Sequence, residues 1–560
     1  MATFDLVVRG GRVVDGTGLA GFTADVAVRD GVIVRVGRVT EDATRTIDAD
    51  GCVVSPGFID VHTHYDAQLH WEPTASPASW HGVTTVLAGN CGFTLAPAKP
   101  EDTPWLAQML SRVEGMAAEA LATGLRWSGG SFGQFLHALD GRIAVNMGSY
   151  VGHSAIRRYV MGDAASERRA TVDEVVAMQG LVRQSMHEGA IGFSTSQLDI
   201  HVAHDGREVP SNHAAPEEIV ALASVLAEFD HGAIEIIPRS FVDGYDDADR
   251  TLLRDIYRGA GRPIELNTLV PMPHQMDGWR RGVDFCRAAV RDGVRLHPMF
   301  AVNELGAHFS LDTTFLFDEM PTWRATLCLP PPERARRLAD PAVRGHLLAE
   351  LADPTGRAFV FIWQVVFVET VTRAEHERWV GMHLGEVAEA TGKTPLDAFL
   401  DLALAEDLRT QFVVRAPKDS RRDAATAELV RDPIMMAGSS DGGAHVLSFT
   451  GADYTTRLLS EWVPGTLSLE QAVAKLTMIP AVVHGLHDRG VVREGAAADL
   501  VVFDPSRLRS TPTRLVHDFP GGTGRYVVGA EGYVASIVNG EIVFDAGRYT
   551  GTLSGRVLRG

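Results

Sequence analysis

Short apolar runs alternate with longer stretches of helical spacing through the middle of the chain, and this pattern predicts a parallel α/β barrel. The apolar runs have the length of buried strands. Residues 171–187 illustrate a helical stretch, with Thr171 as the predicted N-cap and Asp173 and Glu174 in the first turn. Eight strands are predicted, at residues 53–61, 84–88, 144–151, 190–194, 233–237, 263–269, 294–300 and 434–438.

The two ends of the chain show the two-residue alternation of antiparallel strands instead. Asp30-Gly31 and Asn539-Gly540 each separate two apolar segments, as in tight hairpins. Neither end has enough strands to bury a core alone, so we expect one small β-sandwich assembled from both termini. The expected division is residues 1–55 for the N-terminal part of the sandwich, 56–488 for the barrel, and 489–560 for the C-terminal part of the sandwich and the tail.

Residues 303–430 are too many for a single connection between a barrel strand and its helix. This segment contains a proline-rich piece at 329–332, an aromatic-rich piece at 359–367 and a predicted helix at 395–406. We expect an inserted subdomain that lies over the barrel mouth as a lid. The predicted fold class is therefore α/β: a distorted (β/α)8 TIM barrel with a β-sandwich domain built from both termini and an inserted lid subdomain.

The composition, 45% apolar and 22% charged among 560 residues, is typical of a globular protein with a large core. A formal charge of -19 argues against nucleic acid or an anionic membrane surface as a partner, so we expect a small-molecule substrate and leave a homo-oligomer open. No apolar run approaches about 18 residues, and the first residues lack the pattern of a secretory signal, so a cytoplasmic location is expected. The four cysteines are scattered and predict neither disulfides nor a zinc knuckle.

Two histidines one residue apart, His62 and His64, stand at the end of the first predicted strand. Because side chains alternate along a strand, both should point the same way. Neutral imidazole is a common zinc ligand, so the pair could hold a metal ion. Two hydrogen-bonded histidines near a turn would give the same pattern, and the metal interpretation depends on further ligands at the ends of later strands.

Two such ligands are Asp441, just after the eighth strand, and Cys91, just after the second. Small residues flank Asp441 and would let a ligand approach the backbone closely. A carboxylate there can bind a metal ion, accept a proton from an activated water and pass it to a leaving nitrogen. A plain turn at Asp441 and a small core residue at Cys91 are the alternatives.

The remaining candidates share a position near the end of a predicted strand, and each also fits an ordinary structural role. The candidates for further metal ligands, or for groups that contact the ligands, are Glu235, His153 and His297. The candidates for binding a substrate carboxylate are Arg239 and Arg457. Three histidines after the fourth strand are expected to lie in a solvated loop: His201, His204 and His213.

The segments 56–64, 82–86, 89–93 and 439–442 together resemble the amidohydrolase superfamily, and within it the N-acyl-D-amino-acid deacylase (D-aminoacylase) group. The resemblance covers nearly the whole chain, and the Gly-Asn-Cys-Gly-Phe block at 89–93 is its most specific part. It implies Asp441 as the catalytic general base and acid. It also implies zinc as the metal, with these ligands: His62, His64, Cys91 and Asp441.

The chain departs from this group at two expected ligands. The histidines that the group carries on strands five and six fall on Ile237 and Thr268. A bridging carbamylated lysine, common in the superfamily, is excluded because residues 100–392 contain no lysine. An isoleucine cannot bind a metal ion, so we expect one ion per chain, zinc or another divalent metal.

The function that the resemblance implies is metal-dependent hydrolysis of an amide C–N bond in an N-acyl amino acid of D configuration. Because two histidines of the group are missing, hydrolysis of a different amide, a cyclic amide or an ester is an alternative function. A non-catalytic relative that binds a small molecule is an alternative of another class. The retention of His62, His64 and Asp441 argues against it.

Overall fold

Eight parallel strands form the barrel in this computed structural model, which describes residues 3–272, 275–302, 306–355, 357, 359–415, 417–438, 440–448, 451–463 and 465–560. Neighbouring strands pair in chain order, and a backbone bridge between Thr63 and Gly442 joins the first strand end to the last. The strands, the third of them in two pieces, are Phe58–Asp60, Val83–Ala88, Asn146–Ser149 with Val151–Gly152, Gly192–Ser196, Ala233–Ile237, Ile264–Leu269, Leu296–Phe300 and Met436–Ala437.

Strands two to eight lie at the predicted places, whereas the first predicted strand is wrong in one respect. It divides at Gly57 into Val53–Pro56, which belongs to the terminal sheet, and Phe58–Asp60, which opens the barrel. The Gly57 N–H donates to the carbonyl of Asp499, while the Phe58 N–H donates to that of Gly82. A Cβ at Gly57 would lie 2.0 Å from Thr84 Oγ1, so only glycine fits where the chain changes sheets.

Helices connect the barrel strands, and the predicted helix at 171–187 is confirmed. It spans Val172–His187 behind a capping box in which Thr171 and Glu174 each accept the other's backbone N–H. Among the described residues, no helix has both the length and the apolar character needed to cross a bilayer. The helices outside the insertion are Thr103–Val113, Ala118–Gly124, Phe132–Leu139, His153–Met161, Val172–His187, Pro216–Ser224, Asp247–Ala260, Gly278–Arg291, Tyr454–Arg457, Leu469–Leu476 and Met478–Val483.

Strands from both termini share one nine-stranded sheet. Both predicted hairpin turns have positive φ at their two central residues, 52° and 77° at Asp30-Gly31 and 49° and 86° at Asn539-Gly540. The first strand continues through Gly10-Gly11 as a bulge. The division of the chain at residues 55 and 489 stays a prediction. The strands are Phe4–Val13, Phe22–Arg29, Val32–Gly37, Ala43–Asp48, Val53–Pro56, Leu500–Phe503, Tyr533–Val538, Glu541–Asp545 and Arg548–Tyr549.

The long insertion has its own sheet and apolar core. Its strands are Ala307–Phe309, Gln411–Val414 and Val366–Thr370, and the predicted helix near 395 spans Pro395–Ala405. The other helices of the insertion are Pro321–Leu327, Pro331–Ala339, Pro341–Ala352, Leu384–Thr391 and Ser420–Arg431, the last of which leads into barrel strand eight. The His308 N–H donates to Ser448 O at 2.7 Å, so the insertion contacts the loop after barrel strand eight. A lid role stays a prediction, and residues 303–305 and Ser439 lie outside the described residues.

Candidate metal centre at the barrel mouth

Four predicted ligands from three strand ends converge at the mouth of the barrel. Cys91 Sγ lies 3.4 Å from His62 Nε2 and 4.0 Å from His64 Nε2. Asp441 Oδ1 lies 3.3 Å from His62 Nε2 and 3.8 Å from His64 Nε2. Strand one, strand two and strand eight therefore bring two imidazoles, a thiol and a carboxylate to one point.

The backbone around these side chains is fixed by bonds between neighbouring strand ends. The Thr63 N–H and hydroxyl both donate to Leu87 O, at 3.1 and 2.8 Å. The His64 N–H donates to Gly442 O at 2.7 Å, next to Asp441. These bonds tie the two histidines to strand two on one side and to the Asp441 loop on the other.

Cys91 and Asp441 both have left-handed backbone conformations, with φ of 58° and 49°. Such values are uncommon outside glycine and occur at functional sites where the surroundings hold them in place. The Cys91 N–H donates to Glu235 Oε2 at 2.7 Å, and the Gly442 N–H donates to Ser440 Oγ at 2.9 Å. Glu235 therefore contributes to the site through the backbone of Cys91.

The donor atoms fit a divalent ion such as zinc. Zinc bonds of about 2.0–2.3 Å in a tetrahedron place neighbouring donor atoms roughly 3.3–3.8 Å apart, close to the separations found here. Donor atoms of His62, His64 and Cys91 all lie within 4.8 Å of one another. Imidazole, thiolate and carboxylate are also the donor types that zinc takes in proteins.

The charge balance of the site also favours a cation. Burial raises the pKa of Glu235 to about 8, against the opposing charge of His62. Burial, and then the charge of Glu235, raises the pKa of Cys91 well above its usual range. Burial alone would raise the pKa of Asp441, but the hydrogen bond and charge of His62 outweigh it and keep that pKa below its usual range. A divalent cation would compensate for several buried acidic groups at once.

A comparison with known families decides what kind of protein carries this site. The sequence model described as the amidohydrolase family matches residues 45–544. This chain belongs to the amidohydrolase family.

Relatives of this amidohydrolase match it over nearly the whole chain and share its fold. The D-aminoacylase of Alcaligenes xylosoxydans xylosoxydans is 30% identical over 565 residues, covering 99% of this chain and 97% of the relative. The N-acyl-D-glutamate deacylase of Bordetella bronchiseptica, solved with zinc and a phosphonate mimic of the tetrahedral intermediate, has a TM-score of 0.69 at 26% identity and 100% coverage of both chains. A solved D-aminoacylase has a TM-score of 0.67 at 26% identity and 100% coverage of both chains. It is described as having a binuclear metal centre, in which one metal activates and the second attenuates.

These comparisons confirm three predictions: the family, the barrel fold with a β domain, and a metal-dependent amidohydrolase. At the two positions where the chain departs from its group, Ile237 is buried at the end of strand five and Thr268 is buried on strand six. The Thr268 hydroxyl donates to Asn267 Oδ1 at 2.8 Å. Neither side chain supplies an imidazole to the mouth of this amidohydrolase.

Two other predicted histidines, His153 and His297, are not among the four converging donors. His153 uses Nδ1 to contact Thr195 Oγ1 at 2.8 Å and Nε2 to contact Glu218 Oε1 at 3.0 Å. Both ring nitrogens are therefore engaged, and the structure does not support a ligand role for His153. His297 pairs in register with Glu265 on strand six, and burial lowers its pKa to about 4, with the charge of His484 adding to the effect.

The two arginines proposed to bind a substrate carboxylate are both paired with protein carboxylates. Arg239 contacts Asp199 in an exposed ion pair. Arg457 contacts Asp453 at 2.6 Å and Glu461 at 3.0 Å, both one helical turn away. A substrate-binding role for either arginine stays a prediction.

Glu114 and His445 were not among the predicted site residues, and the prediction of a solvated position for His201 was wrong. Glu114 Oε1 lies 3.3 Å from His64 Nδ1, and its Oε2 lies 3.7 Å from His445 Nε2. His201 is partly buried rather than solvated: Ser196 Oγ lies 2.6 Å from its Nδ1, and burial lowers its pKa to about 3. The place of His445 four residues after Asp441 could have identified it, whereas Glu114 follows a helix and carries no motif.

Proposed function

We propose that this amidohydrolase removes the acyl group of an N-acyl D-amino acid by hydrolysis, with one zinc ion at the barrel mouth. The observation that carries the proposal is the convergence of four donors: His62, His64, Cys91 and Asp441. Two relatives named as D-aminoacylase and N-acyl-D-glutamate deacylase, which align over nearly their whole length, support this substrate class.

An ion bound by these residues would lower the pKa of a water molecule and polarise the scissile carbonyl. The protein's own contribution centres on Asp441, whose side chain is 21% exposed while both imidazoles are buried. Asp441 Oδ1 lies 3.3 and 3.8 Å from the two imidazole Nε2 atoms, and the carboxylate is also accessible to solvent. It is placed to take a proton from the attacking water and to deliver it to the leaving nitrogen.

One ion, rather than two, is proposed because the chain lacks the usual ligands of a second. Ile237 and Thr268 replace two histidines, and residues 100–392 contain no lysine for a bridge. A small-molecule partner agrees with the formal charge of -19. The cytoplasmic location and any self-association stay predictions.

The test combines a metal count with a substrate panel. Purified chain is analysed for bound metal and then offered N-acyl D- and L-amino acids, a cyclic amide and an ester, with release of amine or acid as the signal. We expect amine release from the D substrates that a chelator abolishes and zinc restores. Turnover of only the cyclic amide or ester would replace the proposed substrate class, and no turnover with metal bound would favour a binding protein.

A further inference from the structure

Glu114 is a buried carboxylate in the loop that follows the helix Thr103–Val113. Its residue surface is 2% exposed, and its N–H donates to Leu110 O at 2.9 Å, which closes the helix. A buried carboxylate destabilises the fold unless charged or polar partners compensate for it. The partners of Glu114 therefore indicate the role of this residue.

The first partner is His64, at 3.3 Å between Glu114 Oε1 and His64 Nδ1. The other ring nitrogen of His64, Nε2, is the one that faces Cys91 and Asp441. A histidine that binds a metal ion through one nitrogen usually presents its other N–H to a carboxylate or carbonyl, which fixes the tautomer and the ring orientation. Glu114 stands on the side of His64 that such a group would occupy.

The second partner is His445, in the same loop as Asp441. Glu114 Oε2 lies 3.7 Å from His445 Nε2, and the Glu114 carbonyl accepts the His445 N–H. A Cβ at Gly115 would lie 3.3 Å from His445 Cα, so the two backbones approach closely. One residue therefore contacts both the strand-one histidine pair and the loop that carries Asp441.

We propose that Glu114 is a positioning residue for the metal centre: it orients the ring of His64 and holds the loop from Asp441 to His445 against it. This inference rests on the proposed function, because the metal centre is part of that proposal. Glu114 acts through His64 and His445 and does not itself contact the ion.

The test measures zinc affinity in full-length protein, by competition with a chromogenic chelator, and the visible spectrum after cobalt substitution. The variants are Glu114→Ala and Glu114→Gln, and His64→Ala reports on the centre itself. Glu406→Gln is the matched control, because Glu406 is also fully buried and its Oε1 lies 2.5 Å from His376 Nδ1, but within the insertion.

We expect Glu114→Ala to weaken zinc binding about 10- to 100-fold and to change the cobalt spectrum. Glu114→Gln should lose less zinc affinity, because its amide oxygen can take the place of Oε1 beside His64 Nδ1. Glu406→Gln should match the parent. Parental affinity and spectrum in Glu114→Ala, with metal lost in His64→Ala, would overturn the positioning role alone. If Glu114→Ala does not fold, a parental affinity in Glu114→Gln would overturn it. Metal retained in His64→Ala would overturn the proposed centre and this inference together.

Discussion

Asp441 differs from the other three donors because it alone combines ligand contact with access to solvent. Its Oδ1 lies within 4 Å of both imidazole Nε2 atoms, at 3.3 Å from His62 and 3.8 Å from His64. Proton transfer by a positioned side chain contributes about 10²- to 10⁴-fold to enzyme rates. Asp441→Asn keeps the size of the side chain but removes its basic charge. We expect kcat to fall by about that factor while zinc remains bound, measured by amine release and by metal content. An unchanged kcat would assign the proton transfer to another group.

A substitution at Cys91 tests whether its thiol binds the metal ion. Its side chain is buried, with Sγ 3.4 Å from His62 Nε2 and 4.0 Å from His64 Nε2. Cys91→Ser exchanges a soft sulfur donor for a hydroxyl that ligates zinc poorly, so we expect a higher zinc dissociation constant with the fold retained. Cys286→Ser, at another buried cysteine on the helix Gly278–Arg291, is the control and should bind zinc normally. Equal zinc affinity in the two variants would remove Cys91 from the ligand set.

The convergence of the four donors could be predicted at the scale of residues, and the contacts of the residues around them could not. His62, His64 and Asp441 follow apolar runs, and a barrel brings the ends of its strands together. Glu114 stands in no apolar run, and only the path of the chain after residue 113 brings it to His64. The pairing of Arg457 is a different case, because Asp453 and Glu461 stand four residues on either side of it, a spacing that predicts ion pairs once the segment is helical.

At the scale of single elements, the helix Val172–His187 shows how its first turn is stabilised. The hydrogen bond from Arg168, followed by those from Thr171, lowers the pKa of Glu174 from an ordinary 4.5 to about 2. Since the folded pKa is the lower one, the carboxylate stabilises the helix fully above about pH 4.5 and loses this effect as the pH falls through about 2.

Glu174→Gln should therefore loosen the first turn of this helix at neutral pH. We expect faster hydrogen exchange of its amides at pH 7 than in the parent, and a difference that shrinks as the pH falls from 4.5 towards 2. Thr171→Ala, which removes the other half of the capping box, should cost about 1 kcal/mol at any pH in this range. Identical exchange in parent and Glu174→Gln at pH 7 would show that the charge of Glu174 contributes nothing measurable to this turn.

Element positions were predictable because apolar periodicity and capping residues are local signals. The boundary at Gly57 was not, since the run from Val53 to Val61 is apolar on both sides of it. The change of sheet depends on the contact of Gly57 with Thr84 and on the bond to Asp499, which lies more than 400 residues away in the sequence.

On the scale of the whole molecule, Asp499 joins the terminal sheet to the barrel. Its carboxylate accepts the Asn146 side-chain amide at 2.9 Å and the Asn539 N–H at 2.7 Å, and it pairs with buried Arg489. Asp499→Ala would leave the Arg489 charge with only the exposed Asp488, and breaking a buried pair typically costs about 3–5 kcal/mol. We expect a clearly lower thermal midpoint, whereas Asp488→Ala should change it little. Equal midpoints would mean that the two sheets are held together elsewhere.

The most direct measurement is anomalous X-ray diffraction at the zinc edge from crystals of the zinc-loaded protein. The predicted result is one strong peak about 2.0–2.3 Å from His62 Nε2, His64 Nε2 and Cys91 Sγ, with Asp441 beside it. A strong peak elsewhere in the protein, or one whose neighbours include neither imidazole, would contradict the metal centre and the hydrolysis proposed to depend on it.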